Sequence, residues 1–212
     1  MKANIVNPKE DLQTIREIME RSSKFVSLSG LSGIFAGVCA LIGAAVAWFF
    51  IFGGDNISID DFLQNPAGFH NMHIGYNLAM DGLLVLGFAI LGTVYFSFRK
   101  ARVSGRKLWT NLTLRLLIHV MIPLISGGII IVVLLFRGIY DLIPSFMLIF
   151  YGLSLVNAGK FTFGEIHHLG LTEIVLGLIA SIFTAYSLLF WTIGFGLVHI
   201  LYGMLVYFRH EG

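Results

Sequence analysis

Charged residues are scarce in this chain of 212 residues. It contains 14 lysines and arginines and 12 aspartates and glutamates, so charged residues form 12% of the sequence, whereas roughly 25% is typical of soluble domains. Hydrophobic residues form 57%. So few charges cannot cover the surface of a water-soluble globular protein, so the composition excludes that class. It predicts a chain that lies almost entirely in a membrane.

Several chemical features are also missing. A single cysteine, Cys39, excludes an internal disulfide. The net charge of +2 gives no basis for a nucleic-acid partner. No P-loop, GxSxG, HExxH or CxxC motif occurs, so the nucleotide-dependent, hydrolytic and zinc-protease classes have no motif to rest on. The sequence therefore favours a function other than that of an enzyme.

The first polar segment has the pattern of an amphipathic helix. Asn7 and Pro8 supply an N-cap and a proline at the first helical position. The apolar residues that follow share one stripe, namely Leu12, Ile15, Ile18 and Met19. We expect residues 1–23 to form a cytoplasmic helix on the membrane surface.

Six apolar runs come next, and each predicts a transmembrane helix. They cover about 24–52, 72–98, 108–136, 142–158, 171–188 and 191–208. The last two are continuous, and a single helix over both would be about 57 Å long, nearly twice the bilayer core. A turn is therefore predicted near Ser187 to Thr192. The predicted fold is an all-α, six-helix polytopic bundle over 24–208, with a cytoplasmic tail at 209–212.

The basic residues predict the orientation of these spans. With alternating spans, twelve of the fourteen lie before span 1, between spans 2 and 3, between spans 4 and 5, or after span 6. Arg137 lies on the opposite side, and Arg115 lies within span 3. Both termini are therefore expected on the cytoplasmic side, in a bacterial inner membrane.

Three spans carry ionisable residues well inside them, where each is a functional hypothesis. His73, Asn77 and Asp81 share one face of span 2. Span 3 carries Arg115 and His119 on one face, and span 6 carries His199. Counting from the predicted span ends puts Asp81, His119 and His199 at similar depth.

If their faces meet, these residues form a midplane polar cluster with Arg115 on its cytoplasmic side. The first hypothesis is passage of a small solute or ion, with Asp81, Arg115, His119, His199 and Asn77 as a transport site or proton relay. A second is an internal salt bridge in a structural or regulatory membrane partner. A third is a metal or haem protein, including a redox enzyme, with the histidines as ligands.

Metal and haem sites have weaker patterns. His70 and His73 form an external pair near Asp60 and Asp61 and are the candidate metal ligands. Two histidines on different helices, His119 and His199, are the candidate haem ligands. No attachment motif accompanies them, so neither cofactor is favoured.

The connection between spans 4 and 5, residues 157–170, is rich in glycine and polar residues. Together with the start of span 5 it supplies five candidates for a cytoplasmic gate or binding loop, namely Lys160, Glu165, His167, His168 and Glu173. The alternative is a solvated connection in which Thr172 and Glu173 begin a helix.

Glycines recur along span 1 at positions 30, 33, 37 and 43. Small residues permit close approach of helices in membranes. They predict a packing face, used within one chain or between copies in a homo-oligomer.

One part of the sequence resembles a known group. The segments Leu155–Lys160, Gly164–Ile166 and Leu169–Gly177 resemble a stretch of small, uncharacterised multi-pass bacterial inner-membrane proteins. The resemblance implies a multi-pass membrane protein whose partner is the lipid bilayer. It implies no activity and no site residue.

Overall fold

The computed structural model describes residues 29–52, 69–105 and 109–210. These ranges are helical apart from short connections, and no strand occurs in them. The all-helical class is therefore confirmed. The predicted surface helix at 1–23 lies outside the described residues.

Each predicted span corresponds to one helix. They are α1 Gly30–Phe52, α2 Phe69–Val103, α3 Asn111–Arg137, α4 Ile143–Gly159, α5 Gly164–Ile182 and α6 Thr184–His210. Five of the described helices are long and apolar enough to cross a membrane, and α4 is a shorter apolar helix of 17 residues. Such helices suggest an integral membrane protein.

Two boundaries differ from the predicted ones around α5. This helix begins at Gly164, seven residues before the predicted start, so the connection from α4 is only 160–163. The predicted turn at Ser187 to Thr192 is wrong, because those residues are helical. The break falls at Phe183, whose φ of −107° and ψ of 65° leave the helical region. Glu165 in the first turn suits a helix N-terminus, which explains why polar residues there do not mark a loop.

Glycines set the closest helix contacts. A Cβ built on Gly152 of α4 would lie 2.7 Å from the carbonyl oxygen of Gly170 in α5. A Cβ on Gly30 of α1 would lie 2.5 Å from the carbonyl oxygen of Gly203 in α6. Since no side chain fits at these distances, the backbones pack directly on each other.

The helices are arranged with α6 in the middle. It packs against α1 on one side and against α4 and α5 on the other. Helix α2 packs mainly on α1, and α3 mainly on α4. Both outer helices expose most of their large apolar side chains.

The glycine face of α1 is occupied within the chain. Gly30 and Gly33 face Gly203 of α6, and Gly37 faces the Gly196 carbonyl of α6. Gly43 faces Val85 of α2. The face predicted for packing or self-association thus packs on neighbouring helices of the same chain.

Basic residues gather at one end of the bundle. Arg209, near the end of α6, forms an ion pair with Glu165 at the start of α5, with 3.0 Å between Nη1 and Oε1. Lys100, near the end of α2, lies 5.6 Å above the ring of Phe163. Lys160 follows α4 at the same end. We call this the basic end.

Candidate functional site

Glu173 lies in the middle of the bundle. It is the tenth of the nineteen residues of α5, so about 13 Å of helix separates it from either end. Its side chain is fully buried, at 0% exposure. The sequence placed this residue at the cytoplasmic opening of span 5. The earlier start of α5 moves it to mid-span.

His199 of α6 lies at ion-pair distance from Glu173. Its Nδ1 lies 3.2 Å from Oε1 of Glu173, and the histidine is 4% exposed. The same Nδ1 is 2.9 Å from the carbonyl oxygen of Gly194, five residues earlier. Because a carbonyl oxygen only accepts, Nδ1 carries a proton and donates it there.

A local π-helix creates this backbone contact. Residues Thr192–Val198 form π turns, whereas His199–His210 continues as α-helix. The wider turn brings the carbonyl of Gly194, rather than the usual fourth residue back, to His199. Neither carboxylate oxygen of Glu173 has a hydrogen bond to any described residue, although Nδ1 lies at ion-pair distance.

Tyr151 of α4 completes the arrangement. Its hydroxyl lies 2.9 Å from Nε2 of His199. Tyr151 is half-buried, unlike its two partners. We call Glu173, His199 and Tyr151 the Glu173 cluster, and it joins α4, α5 and α6.

The pair formed by Glu173 and His199 has two low-cost forms, which contain the same number of protons. In the neutral state Glu173 holds a proton, and Nε2 of His199 accepts a hydrogen bond from Tyr151. In the charged state His199 is an imidazolium that donates from both nitrogens, and Glu173 is its counter-ion. A lone charge would be costly at this depth. The cluster can therefore hold a proton on either group.

Asp81 lies at a different depth from the Glu173 cluster. A Cβ on Gly43 of α1 would lie 3.4 Å from Oδ2 of Asp81. A Cβ on Gly33 would lie 3.5 Å from the carbonyl oxygen of His199. Ten residues separate these two glycines, which is about 15 Å along a helix. Within the described part of the chain, no hydrogen bond or ion pair joins Asp81 to His119 or His199.

His119 lies toward the basic end and at the edge of the bundle. Its Nδ1 donates to the carbonyl oxygen of Arg115 at 2.8 Å, and its own carbonyl accepts from Asn157 of α4 at 3.4 Å. Asn157 is six residues beyond Tyr151 on that helix, or about 9 Å. His119 and Arg115 are both exposed, as is Asn77 on α2. The residues expected at one depth therefore lie at three.

The other predicted gate residues stay at the basic end. Lys160 donates to Asn157 at 3.3 Å, and His168 donates to the Gly164 carbonyl at 2.8 Å. Glu165 pairs with Arg209. Of the five candidates, Glu173 alone enters the cluster.

The metal and haem hypotheses gain no support from the geometry. The described residues contain no group of three or more His, Cys, Asp and Glu side chains that could hold a metal ion. Both ring nitrogens of His199 are engaged by Gly194 and Tyr151. The side chains of His70 and His73 lie outside the described part.

Two members of the cluster, Glu173 and Tyr151, were not assigned these positions from the sequence. Glu173 lies two residues into the predicted span 5, directly after Thr172 and close to Glu165, His167 and His168, so its surroundings in the sequence indicated a helix start rather than burial at mid-helix. Tyr151 carried no signal, because a tyrosine in an apolar span is ordinary. No protein-family model, curated protein or solved structure matches this chain.

Proposed function

We propose that this chain is an integral membrane protein that passes a small solute or ion across the bilayer, coupled to a proton held by the Glu173 cluster. The observation that supports this most is the carboxylate of Glu173. It is fully buried at mid-helix, has no hydrogen bond within the part of the chain that the structure describes, and lies 3.2 Å from an imidazole nitrogen. Ionisable groups at such positions are characteristic of proton relays.

A purely structural role is less well supported by the same carboxylate. Buried polar groups that only stabilise a protein are normally hydrogen-bonded. An ion pair that is left without hydrogen bonds is often no more stable than an apolar pair of similar volume. Incomplete satisfaction is instead compatible with a group that changes its protonation during function.

The positive-inside pattern supports an orientation. Lys100, Lys160 and Arg209 lie at the basic end. We propose that this end faces the cytoplasm in a bacterial inner membrane, which puts the Glu173 cluster between two aqueous sides.

Proton flux into proteoliposomes tests the proposal. Purified protein is reconstituted with an entrapped pH-sensitive dye, and proton entry is driven by a potassium-diffusion potential, alone and with sodium or ammonium added. We expect entry above that of protein-free vesicles, and a loss of at least about tenfold in Glu173→Gln.

His119→Asn is the matched control, because it removes an imidazole from the edge of the bundle. We expect it to retain wild-type flux within about twofold, since surface positions rarely matter. Absence of flux from the wild-type protein under every condition, or full flux from Glu173→Gln, contradicts the proposal.

A further inference from the structure

We propose that protons enter and leave the Glu173 cluster through the hydroxyl of Tyr151, and that Gly194 is the positioning residue that makes Nε2 of His199 the receiving atom. This inference rests on the proposed function and deepens it, because it names the route. It follows from which atoms around the His199 imidazole carry a hydrogen.

The two nitrogens of His199 are not equivalent. Nδ1 donates its proton to the carbonyl of Gly194 at 2.9 Å, and that acceptor has no proton to return. The tautomer with hydrogen on Nδ1 is thereby fixed. Nε2 is left as the basic atom, and it faces the Tyr151 hydroxyl at 2.9 Å. Among described residues, Tyr151 and Glu173 are the titratable groups in contact with this ring.

Glu173 is placed as a counter-ion rather than an entry point. Its side chain is fully buried, and Leu148, also at 0% exposure, lies beside it. A Cβ built on Gly194 would lie 2.5 Å from Oε2 of Glu173 and 2.6 Å from Cδ2 of Leu148. Tyr151, by contrast, is half-buried. Of the three residues in the cluster, it alone is partly exposed, while its hydroxyl points inward at Nε2 of His199.

The transfer balances without a charged tyrosine. The step begins with Glu173 ionised and His199 neutral, the form left once the cluster has released a proton. The O–H bond of Tyr151 breaks as its proton passes to Nε2, and the phenol oxygen takes a proton from a hydronium ion. One proton is gained, His199 becomes an imidazolium, and the carboxylate of Glu173 at 3.2 Å stabilises it. The reverse sequence returns the proton to water.

Gly194 contributes in two ways. Its carbonyl, presented by the π-helix, holds Nδ1. Its missing side chain also leaves the space that Oε2 of Glu173 occupies, since a methyl group would come within 2.5 Å of that oxygen. We therefore expect Gly194→Ala to displace the carboxylate and weaken the imidazolium state.

Two measurements test the route on the full-length protein. The first is proton flux in the vesicles described above. We expect Tyr151→Phe to lose at least about tenfold while its fold is kept, because the ring remains and only the relay hydroxyl is removed. Gly194→Ala should lose a comparable amount. Gly196→Ala is the matched control in the same π-helix, since its added methyl group meets the side chain of Leu41 at 2.5 Å and otherwise the Gly37 carbonyl oxygen at an ordinary 3.9 Å, and it touches no member of the cluster.

The second measurement does not depend on flux. Nitrogen-15 NMR of histidine-labelled protein distinguishes the two tautomers of His199, assigned by comparison with His199→Asn. We expect hydrogen on Nδ1 in the neutral form of the wild-type protein, and the same tautomer in Tyr151→Phe. Hydrogen on Nε2 instead would overturn the inference, whatever the flux.

The outcomes separate the two proposals. If Glu173→Gln abolishes flux but Tyr151→Phe carries it at the wild-type rate, the proposed function stands and the Tyr151 route is wrong. If the wild-type protein carries no flux, both are wrong. Loss in Tyr151→Phe and Gly194→Ala, with flux retained in Gly196→Ala, supports the route.

Discussion

Two histidines of this protein make nearly the same local contact in different surroundings. Nδ1 of His199 donates to a carbonyl of its own helix at 2.9 Å, and Nδ1 of His119 does so at 2.8 Å. His199 lies in the middle helix, buried between Glu173 and Tyr151. His119 lies on the outer helix α3, exposed and 5.0 Å from the ring of Phe161. The neighbouring helices, not the residue type, therefore decide which histidine belongs to the Glu173 cluster.

The backbone differs along with the neighbours. His119 bonds the fourth residue back, as in an ordinary α-helix, whereas His199 bonds the fifth. The π-helix before His199 contains two glycines, Gly194 and Gly196, and both are buried. A wider turn at a site with a buried carboxylate is consistent with the frequent occurrence of π-bulges at functional sites.

Removal of each imidazole should give the largest contrast between these two regions. His199→Leu leaves the fully buried Glu173 without its partner, so we expect the free energy of unfolding to fall by about 3 kcal/mol. His119→Leu should change it by less than about 0.5 kcal/mol. Unfolding in mixed detergent micelles, followed by circular dichroism, measures both.

A double variant sharpens that test. Glu173→Leu combined with His199→Leu removes both polar groups, and we expect it to recover most of the stability lost in His199→Leu alone. A double variant as unstable as the single one would show that packing, rather than the unpaired carboxylate, causes the loss.

A smaller contrast is expected between inner and outer glycines. Gly152→Ala puts a methyl group 2.7 Å from the backbone oxygen of Gly170, so α4 and α5 must separate, at a cost of about 1–3 kcal/mol. A Cβ on Gly128 of α3 meets no atom of the described residues within 4 Å. Gly128→Ala should therefore be neutral or stabilise by up to about 1 kcal/mol. Equal effects at the two positions in the same unfolding assay would contradict this packing arrangement.

The smallest effect is expected at the basic end. Arg209 and Glu165 form an ion pair at 3.0 Å, but the arginine side chain is 70% exposed. Arg209→Ala should lower stability by less than about 1 kcal/mol, and the difference should shrink as salt is added. A loss as large as that of His199→Leu would remove the distinction between the buried and exposed pairs.

The predicted spans and the described helices agree for a simple reason. A run of about 20 apolar residues is a local property, and the helices α1 to α4 fall close to their predicted ranges. Around α5 the prediction failed because composition gives no sharp boundary there. Glu165, His167 and His168 have the polarity of a loop, yet they lie in the first two turns of a helix.

The candidate site was less predictable. Counting residues from the predicted span ends put Asp81, His119 and His199 at one depth. Each predicted end has its own error, however, and these errors add when depths on different helices are compared. Contacts with Gly33, Gly43 and Asn157 show three different levels. Of these three residues, His199 is the one in the Glu173 cluster, and its partners come from two helices that the prediction did not pair with it.

The sequence by itself determined that this protein is helical, apolar and divided into six main helices, because hydrophobic runs and scarce charge are properties of the chain alone. Tertiary structure decided the order in which the helices pack, and with it the meaning of each polar residue. Glycines at 152, 170 and 203 allow backbones to approach closely only against particular neighbours. That packing put Glu173 against His199 and Tyr151, and left Arg115 and His119 at the edge, which no periodicity along the sequence encodes.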